Sequence, residues 1–584
     1  MSLDSTLHEA LTALNQGRYK TVLKVAKSGM KRYKSHPAFP NFAGIALSSQ
    51  GKHRDAAGYF KKALGLDPTF HDARRNLAQA LILLQQSDTA LTLLNRLLEG
   101  APKDPDGWYL KGQALLNCGQ PRAAADAATR SLELNTRQPR ALNLRGVARN
   151  MLGDEAEAIA DFQTALTLNP NDVEALVNIS LPLARQTRHA EALEAAERAV
   201  HLAPTHLNAR LRLAMQLLES GDQDGARDQF QTILGQAPGH AQAIEQLAAL
   251  NAAAANADLE PIARRALKTA PRQSSDAARL HFALARMARQ AGEQEKFASH
   301  LTQANGALAH IMPFDSDGDS QQFESLRTRF NAGADQVQAP APSGPTPIYV
   351  LGLPRSGTTL TETLLGAHPD VCPLGERAVP GVLLAPFLEN DIAFDTAACA
   401  QFVARDQERL PTLPDGIRFY IDKMPENYRL IGALLTAYPH ARIVHMCRDP
   451  RDVALSMWQA HFSGKALSYT YDLAAMAHRF NLYTRLMAHW HSVFPGQILD
   501  VQYEDLVTDV DGQSRRLADH IGLKWVADMA HPERSTGPVL TLSANQVRQP
   551  VHSRSVGSWK PYETMLTPFI SGLDPKLWPG VQQG

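Results

Sequence analysis

The stretch around Gly352 and Gly357 holds the residues best suited to chemistry, in the order apolar run, PRSGTT, helix-like TLTETLLG. The two glycines stand five apart, the spacing of a turn whose backbone N–H groups and following helix N-terminus point at an anion. In a nucleoside-triphosphate loop of this spacing the next residues are Lys and Ser/Thr. Here they are Thr358 and Thr359, and an arginine, Arg355, sits inside the loop beside Ser356. Such a loop suits a phosphate–anion diester better than a polyphosphate. A second stretch, RIVHMCRDPRDVALSMW, places Arg448 at the end of a β-branched run and Ser456 eight residues later on a helix. Arginine offers planar, charge-assisted bonds to phosphate oxygens, and a hydroxyl adds one more.

These motifs need a scaffold. Strands are expected at 347–353, 417–421, 442–446 and 498–503, with helices near 358–367, 428–437, 451–462, 472–493 and 513–521. Alternation of this kind argues for an α/β, P-loop-like domain with a mainly parallel sheet, whose ligands sit beyond the carboxyl ends of the strands.

The N-terminal half has a different rhythm. Ala56, Ala90, Ala124, Ala158, Ala192 and Ala226 recur every 34 residues. Gly44, Ala78, Gly112, Gly146, Ser180 and Ala214 form a second column of small residues. Pro68, Pro102, Pro170, Pro204 and Pro238 mark the ends, with Thr136 in the gap. Small residues mark helix crossings, and proline stops the second helix of each unit. The period resembles the tetratricopeptide repeat, with about seven units up to residue 250 and one or two drifting units over 255–310. The expected organisation is therefore an all-α solenoid at 1–310, a Pro-rich linker at 311–344 with one short helix, and the α/β domain at 345–584.

P-R-S-G-T-T after a strand resembles the 5′-phosphosulfate loop of sulfotransferases, and Arg448 with Ser456 resembles that family's 3′-phosphate site. The run PRSGTTLTETLLGAHPDVCPLGE is similar to the protein-tyrosine sulfotransferases in particular. The resemblance implies transfer of a sulfuryl group from 3′-phosphoadenosine-5′-phosphosulfate (PAPS) to a hydroxyl, a protein tyrosine being one expected acceptor. It implies catalytic roles for Arg355, Glu376 and Lys423, and donor contacts from Arg355, Ser356, Gly357, Thr358, Thr359, Arg448, Ser456, Tyr503, Ser543, Arg548 and Lys560. Where that family carries a second arginine, twelve residues after the first, this chain has Ala460. His368 and His445 could serve as bases by chemistry, and their positions favour structural roles.

Composition sets the remaining expectations. Lys plus Arg balances Asp plus Glu at 59 each, so no nucleic acid or membrane surface is expected as partner. Cys118, Cys372, Cys399 and Cys447 form no C-x-x-C pair, which fits a reducing compartment. The N-terminus lacks a signal-peptide pattern, and no run reaches the roughly 18 apolar residues of a membrane span. A cytoplasmic enzyme without a metal is expected, its repeat groove recruiting a protein or peptide acceptor. The rival readings are a P-loop kinase-like phosphotransferase, which should carry Lys at 358, and a non-enzymatic repeat adaptor.

Overall fold

The computed structural model describes residues 2–331, 337–341, 344–389, 392–462, 464–534 and 551–581. The chain divides into two compact units, Met1–Leu183 and Ala184–Gly584. In the first, helices pack as successive pairs, from Leu3–Asn15 with Tyr19–Arg32 to Pro139–Met151 with Glu155–Leu168. The 34-residue columns mark their crossings. Ala56, Ala90, Ala124 and Ala158 are fully buried. A methyl group on Gly44 would stand 2.4 Å from the Phe60 ring, and one on Gly146 would stand 2.7 Å from Phe162. Adjacent repeats are also tied by side-chain amides, Asn76 to Asn41 at 3.0 Å and Asn178 to Asn143 at 3.1 Å.

The second unit begins with helix pairs of the same kind, ending in Ser275–Gln290 and Gln294–Ile311. A further helix, Ser316–Arg329, follows. Then comes a five-stranded parallel sheet: β1 (Thr346–Gly352), β2 (Val371–Pro373), β3 (Phe419–Asp422), β4 (Arg442–Cys447) and β5 (Ile498–Gln502), in the order β2-β3-β1-β4-β5. The all-α repeats and the α/β domain expected from the sequence are both present. The chain leaves β1 toward β2 and β3 on one side and later crosses to β4 on the other. The crevice for a ligand therefore opens beyond Gly352.

Alternation along the strands fills both faces. Ile348, Val350, Val444, Met446 and Val501 pack on the helices holding Leu364, Leu365, Leu517 and Ile521. On the opposite face Tyr349, Leu351 and Ile443 join a cluster that includes Leu434, Tyr483 and Trp490. That same cluster contains Phe282 and Phe297 from the last repeat pair, and Phe323 and Leu326 from Ser316–Arg329. No helix among the described residues is long and apolar enough to cross a membrane.

Four strands and five helices stand near their expected places. β2, three residues ending in proline, has no legible pattern, and Val379–Glu389 carries Pro386 inside it. The expected strand 498–503 ends at Gln502, because Tyr503 opens the short helix Tyr503–Thr508.

Candidate active site

The loop after β1 is a cradle of backbone. Gly352 has φ 144° and a Cβ there would stand 2.6 Å from the Met446 carbonyl. Gly357 has φ 110°, and its Cβ would stand 2.6 Å from Tyr503 Cδ2. Arg355 itself takes a left-handed φ of 72°, a conformation that costs energy for a side-chain-bearing residue and persists where the surroundings hold it. The helix Thr358–Gly366 starts directly at the loop with no side chain capping its first turn. Its first N–H groups are thus directed into the crevice.

Two arginines meet there. Arg448 Nη1 donates to the Arg355 carbonyl at 3.0 Å, and Arg355 Nε donates to Ser456 Oγ at 3.1 Å. Burial, and then the like charges of Arg448 and Arg286, push the Arg355 pKa down to about 10. The Arg448 guanidinium lies over the Tyr503 ring at 4.4 Å, and the Tyr503 hydroxyl pairs with Ser555 Oγ at 2.8 Å. Among the described residues Ser356 Oγ and Arg448 Nε are buried with no hydrogen-bond partner. Buried donors left unpaired are costly, so the two motifs fit an anionic ligand that would satisfy both. Thr358 and Thr359 are buried beside them.

Lys423 follows β3 and is completely buried. Its Nζ donates to Glu376 Oε1 at 2.7 Å and stands 4.0 Å from Glu362 Oε2. Glu362 also accepts the Gly375 amide at 2.8 Å, so it holds the turn that carries Glu376. Burial raises the Glu362 pKa, and the Lys423 charge opposes that rise. The sequence signal for Glu362 was its place on the buried stripe of its helix with Thr358, Thr361 and Leu365.

The C-terminal segment is strapped across this edge. Asp452, 1% exposed, accepts from Gly557 N at 2.7 Å, Ser558 Oγ at 2.9 Å and Trp559 N at 3.0 Å. Arg448 Nη2 donates to the Ser555 carbonyl at 2.7 Å. Lys560 is exposed and lines a 420 Å³ cleft with Asp449, Arg451, Asp452 and Glu504, a surface richer in carboxylates than in anion donors. Ser543 and Arg548 lie outside the described residues.

His368 and His445 are both held in hydrogen bonds. His368 Nε2 lies 3.1 Å from the Lys524 carbonyl. His445 lies opposite Asp500 in the β4–β5 register, with Nδ1 2.7 Å from Asp500 Oδ1 and Nε2 against the Tyr483 hydroxyl. Strand pairing thereby assembles His445, Cys447 and Asp500, a His/Cys/carboxylate group that the sequence did not reveal. Both ring nitrogens are engaged in hydrogen bonds, and Cys447 Sγ lies 3.6 and 3.9 Å from the two of them. The group is arranged as a hydrogen-bond network.

Residues 347–527 match the model of the sulfotransferase family, and residues 47–114, 109–173 and 183–250 match models of the tetratricopeptide repeat. An "Uncharacterized protein" of Aquifex aeolicus (strain VF5) is 34% identical over 245 residues, 39% of this chain and 32% of that protein. Protein-tyrosine sulfotransferase 1 of Danio rerio is 25% identical over 234 residues, 36% of this chain and 65% of the relative. The chain thus spans about a third of the first relative and just under two thirds of the second. Among solved structures, the APC/C hetero-tetramer Cut9-Hcn1 is similar over 42% of this chain and 49% of that one, at 19% identity and a TM-score of 0.39.

Proposed function

With a sulfotransferase-family domain preceded by tetratricopeptide repeats as the premise, we propose that the protein transfers the sulfuryl group of PAPS to an acceptor hydroxyl. The observation that carries this reading is the contact between the two anion motifs. Arg448 bonds the Arg355 carbonyl at 3.0 Å, and Ser356 Oγ and Arg448 Nε remain as buried donors without partners. One nucleotide with phosphate groups at both ends of its ribose would occupy both motifs, the phosphosulfate in the 352–359 loop and the 3′-phosphate at Arg448 and Ser456.

In the reaction, the acceptor oxygen forms a bond to sulfur as the bond from sulfur to the 5′-phosphate oxygen breaks. Glu376 takes the acceptor proton. The electron pair leaves with 3′-phosphoadenosine-5′-phosphate (PAP), where Arg355, Lys423 and the loop amides stabilise the growing charge. Lys423 and Glu376 at 2.7 Å form the pair that links the base to the leaving side. A protein or peptide tyrosine is the acceptor favoured by the likeness to protein-tyrosine sulfotransferases, with the repeat groove recruiting it.

The test is calorimetry of the full chain with PAP and with ATP, followed by labelled-sulfate transfer from PAPS to a tyrosine peptide. Tight binding of PAP, weak binding of ATP and label on tyrosine are expected. Equal affinity for PAP and ATP would remove the donor assignment and favour the kinase-like alternative. Donor binding without label on the peptide would remove tyrosine as acceptor.

A further inference from the structure

The repeats and the sheet share one hydrophobic cluster, and the helix Ser275–Gln290 meets the segment that follows Ser456. Phe282, Arg286 and Arg289 fall on one stripe of that helix, four and seven residues apart. Phe282 stacks on His461 with ring centroids 5.8 Å apart, and Arg289 donates to the Gln459 side chain. The partners at both ends of the stripe are therefore residues 459 and 461, one turn beyond Ser456. Arg286 lies between Phe282 and Arg289 on the same stripe.

Arg286 is arranged unlike its neighbours. Ala285, Met287 and Ala288 are buried, whereas Arg286 is exposed. Among the described residues it has no hydrogen bond or salt bridge. Glu245, a carboxylate whose charge acts on it, is engaged by Arg279 at 2.5 Å and by His461 at 3.2 Å. Arg289 acts on it as a like charge, and the Arg286 charge in turn lowers the pKa of Arg355. A guanidinium held among like charges is a position that an anion stabilises.

We propose that Arg286, supplied by the repeat helix, is a donor-binding residue that grips the 3′-phosphate of the nucleotide together with Arg448 and Ser456. The proposal rests on the donor reading above and extends it. Ala460, where the sulfotransferase pattern has an arginine, is partly buried against the shared cluster and supplies no charge. The repeats then complete the active site, and a fragment beginning at residue 330 lacks part of its donor pocket as well as the Phe282, Phe297 and Phe323 packing.

The experiment compares PAP with adenosine 5′-monophosphate, which lacks only the 3′-phosphate, by calorimetry on the full chain. Arg286→Ala should weaken PAP by roughly 10- to 100-fold, the worth of charge-assisted hydrogen bonds, and leave the monophosphate unchanged. Adding Ala460→Arg to Arg286→Ala should recover most of the lost PAP affinity. Arg289→Ala, whose group is held by Gln459, serves as the comparison and should bind PAP as the wild type does. An Arg286→Ala protein with its preference for PAP intact, or one that loses both nucleotides equally, overturns the proposal. A wild-type chain with no preference between the two overturns the donor assignment itself. That failure is told apart because it shows before any substitution is made.

Discussion

Lys423 and Glu376 form an ion pair at 2.7 Å in which the ammonium is fully buried and the carboxylate side chain is 42% exposed. The pair thus joins a cation inside the fold to a carboxylate at its surface. Glu376→Ala should lower the transfer rate by about 10²- to 10⁴-fold, the usual contribution of a positioned general base, while PAP affinity stays unchanged. Single-turnover transfer and calorimetry measure the two quantities. A variant that keeps both would show that Glu376 is not the base.

Behind this pair, Glu362 makes a second carboxylate near one ammonium, 4.0 Å from Lys423 Nζ. Burial raises the Glu362 pKa, and the Lys423 charge and the hydrogen bond from the Gly375 amide oppose that rise. Glu362→Gln keeps an acceptor for the Gly375 amide and removes the charge. Glu362→Ala removes the acceptor as well and should lower the transfer rate about tenfold, the worth of one buried hydrogen bond, while Glu362→Gln should keep it. Equal losses in the two variants would mean that the charge beside Lys423, not the turn, is what Glu362 supplies.

Gly357 tolerates no side chain for two separate reasons, its φ of 110° and the Tyr503 ring, which would lie 2.6 Å from an added methyl group. Gly357→Ala should cost on the order of 2–4 kcal/mol of stability and abolish PAP binding. Tyr503→Ala in the same chain removes the steric conflict but not the backbone strain, so urea unfolding should show partial recovery. Full recovery would mean that the left-handed backbone carries no cost there.

Much of this was legible beforehand because it is local. Glycine spacing, Arg355, Arg448 and the 34-residue columns are each set by neighbours in sequence, and the structure places them as backbone turns, strand ends and helix crossings. What was not legible depends on long-range packing. Asp452 anchors a segment 105 residues away. His445 meets Asp500 only through β4–β5 pairing. Phe282 and Phe297 belong to the sheet's core although their helices read as drifting repeats. A periodic pattern shows which face is apolar, not which partner covers it.

Asp452 gives that long-range link a measurable consequence. It accepts three hydrogen bonds from residues 557–559 while 1% exposed. Asp452→Ala leaves those donors without their acceptor and should cost about 2–4 kcal/mol, one to three unsatisfied groups. Hydrogen exchange at the Gly557 and Trp559 amides should accelerate, and PAP affinity should fall, because Arg448 shares the same strap through Ser555. Unchanged exchange at both amides would show that the strap is held by Trp559 packing alone.

The network at His445 makes stability depend on pH in a stated direction. Burial opposes its charge, but the Cys447 sulfur and the Asp500 carboxylate outweigh burial and hold its pKa up at about 9. Asp500 is correspondingly lowered, through its hydrogen bond to His445. The unfolded imidazole titrates near about 6.5. A group whose folded pKa is the higher stabilises fully below its unfolded pKa and loses that contribution as pH rises through the folded one. The window here therefore runs from about 6.5 to about 9. Across it the wild type should lose on the order of 2 kcal/mol relative to His445→Gln, read as the difference between their urea unfolding free energies at each pH. Cys447→Ser should shrink that difference by removing one of the groups that raise the imidazole pKa. A difference that stays constant with pH would mean that His445 is neutral in the folded chain and that its bonds to Asp500 and Tyr483 serve packing alone.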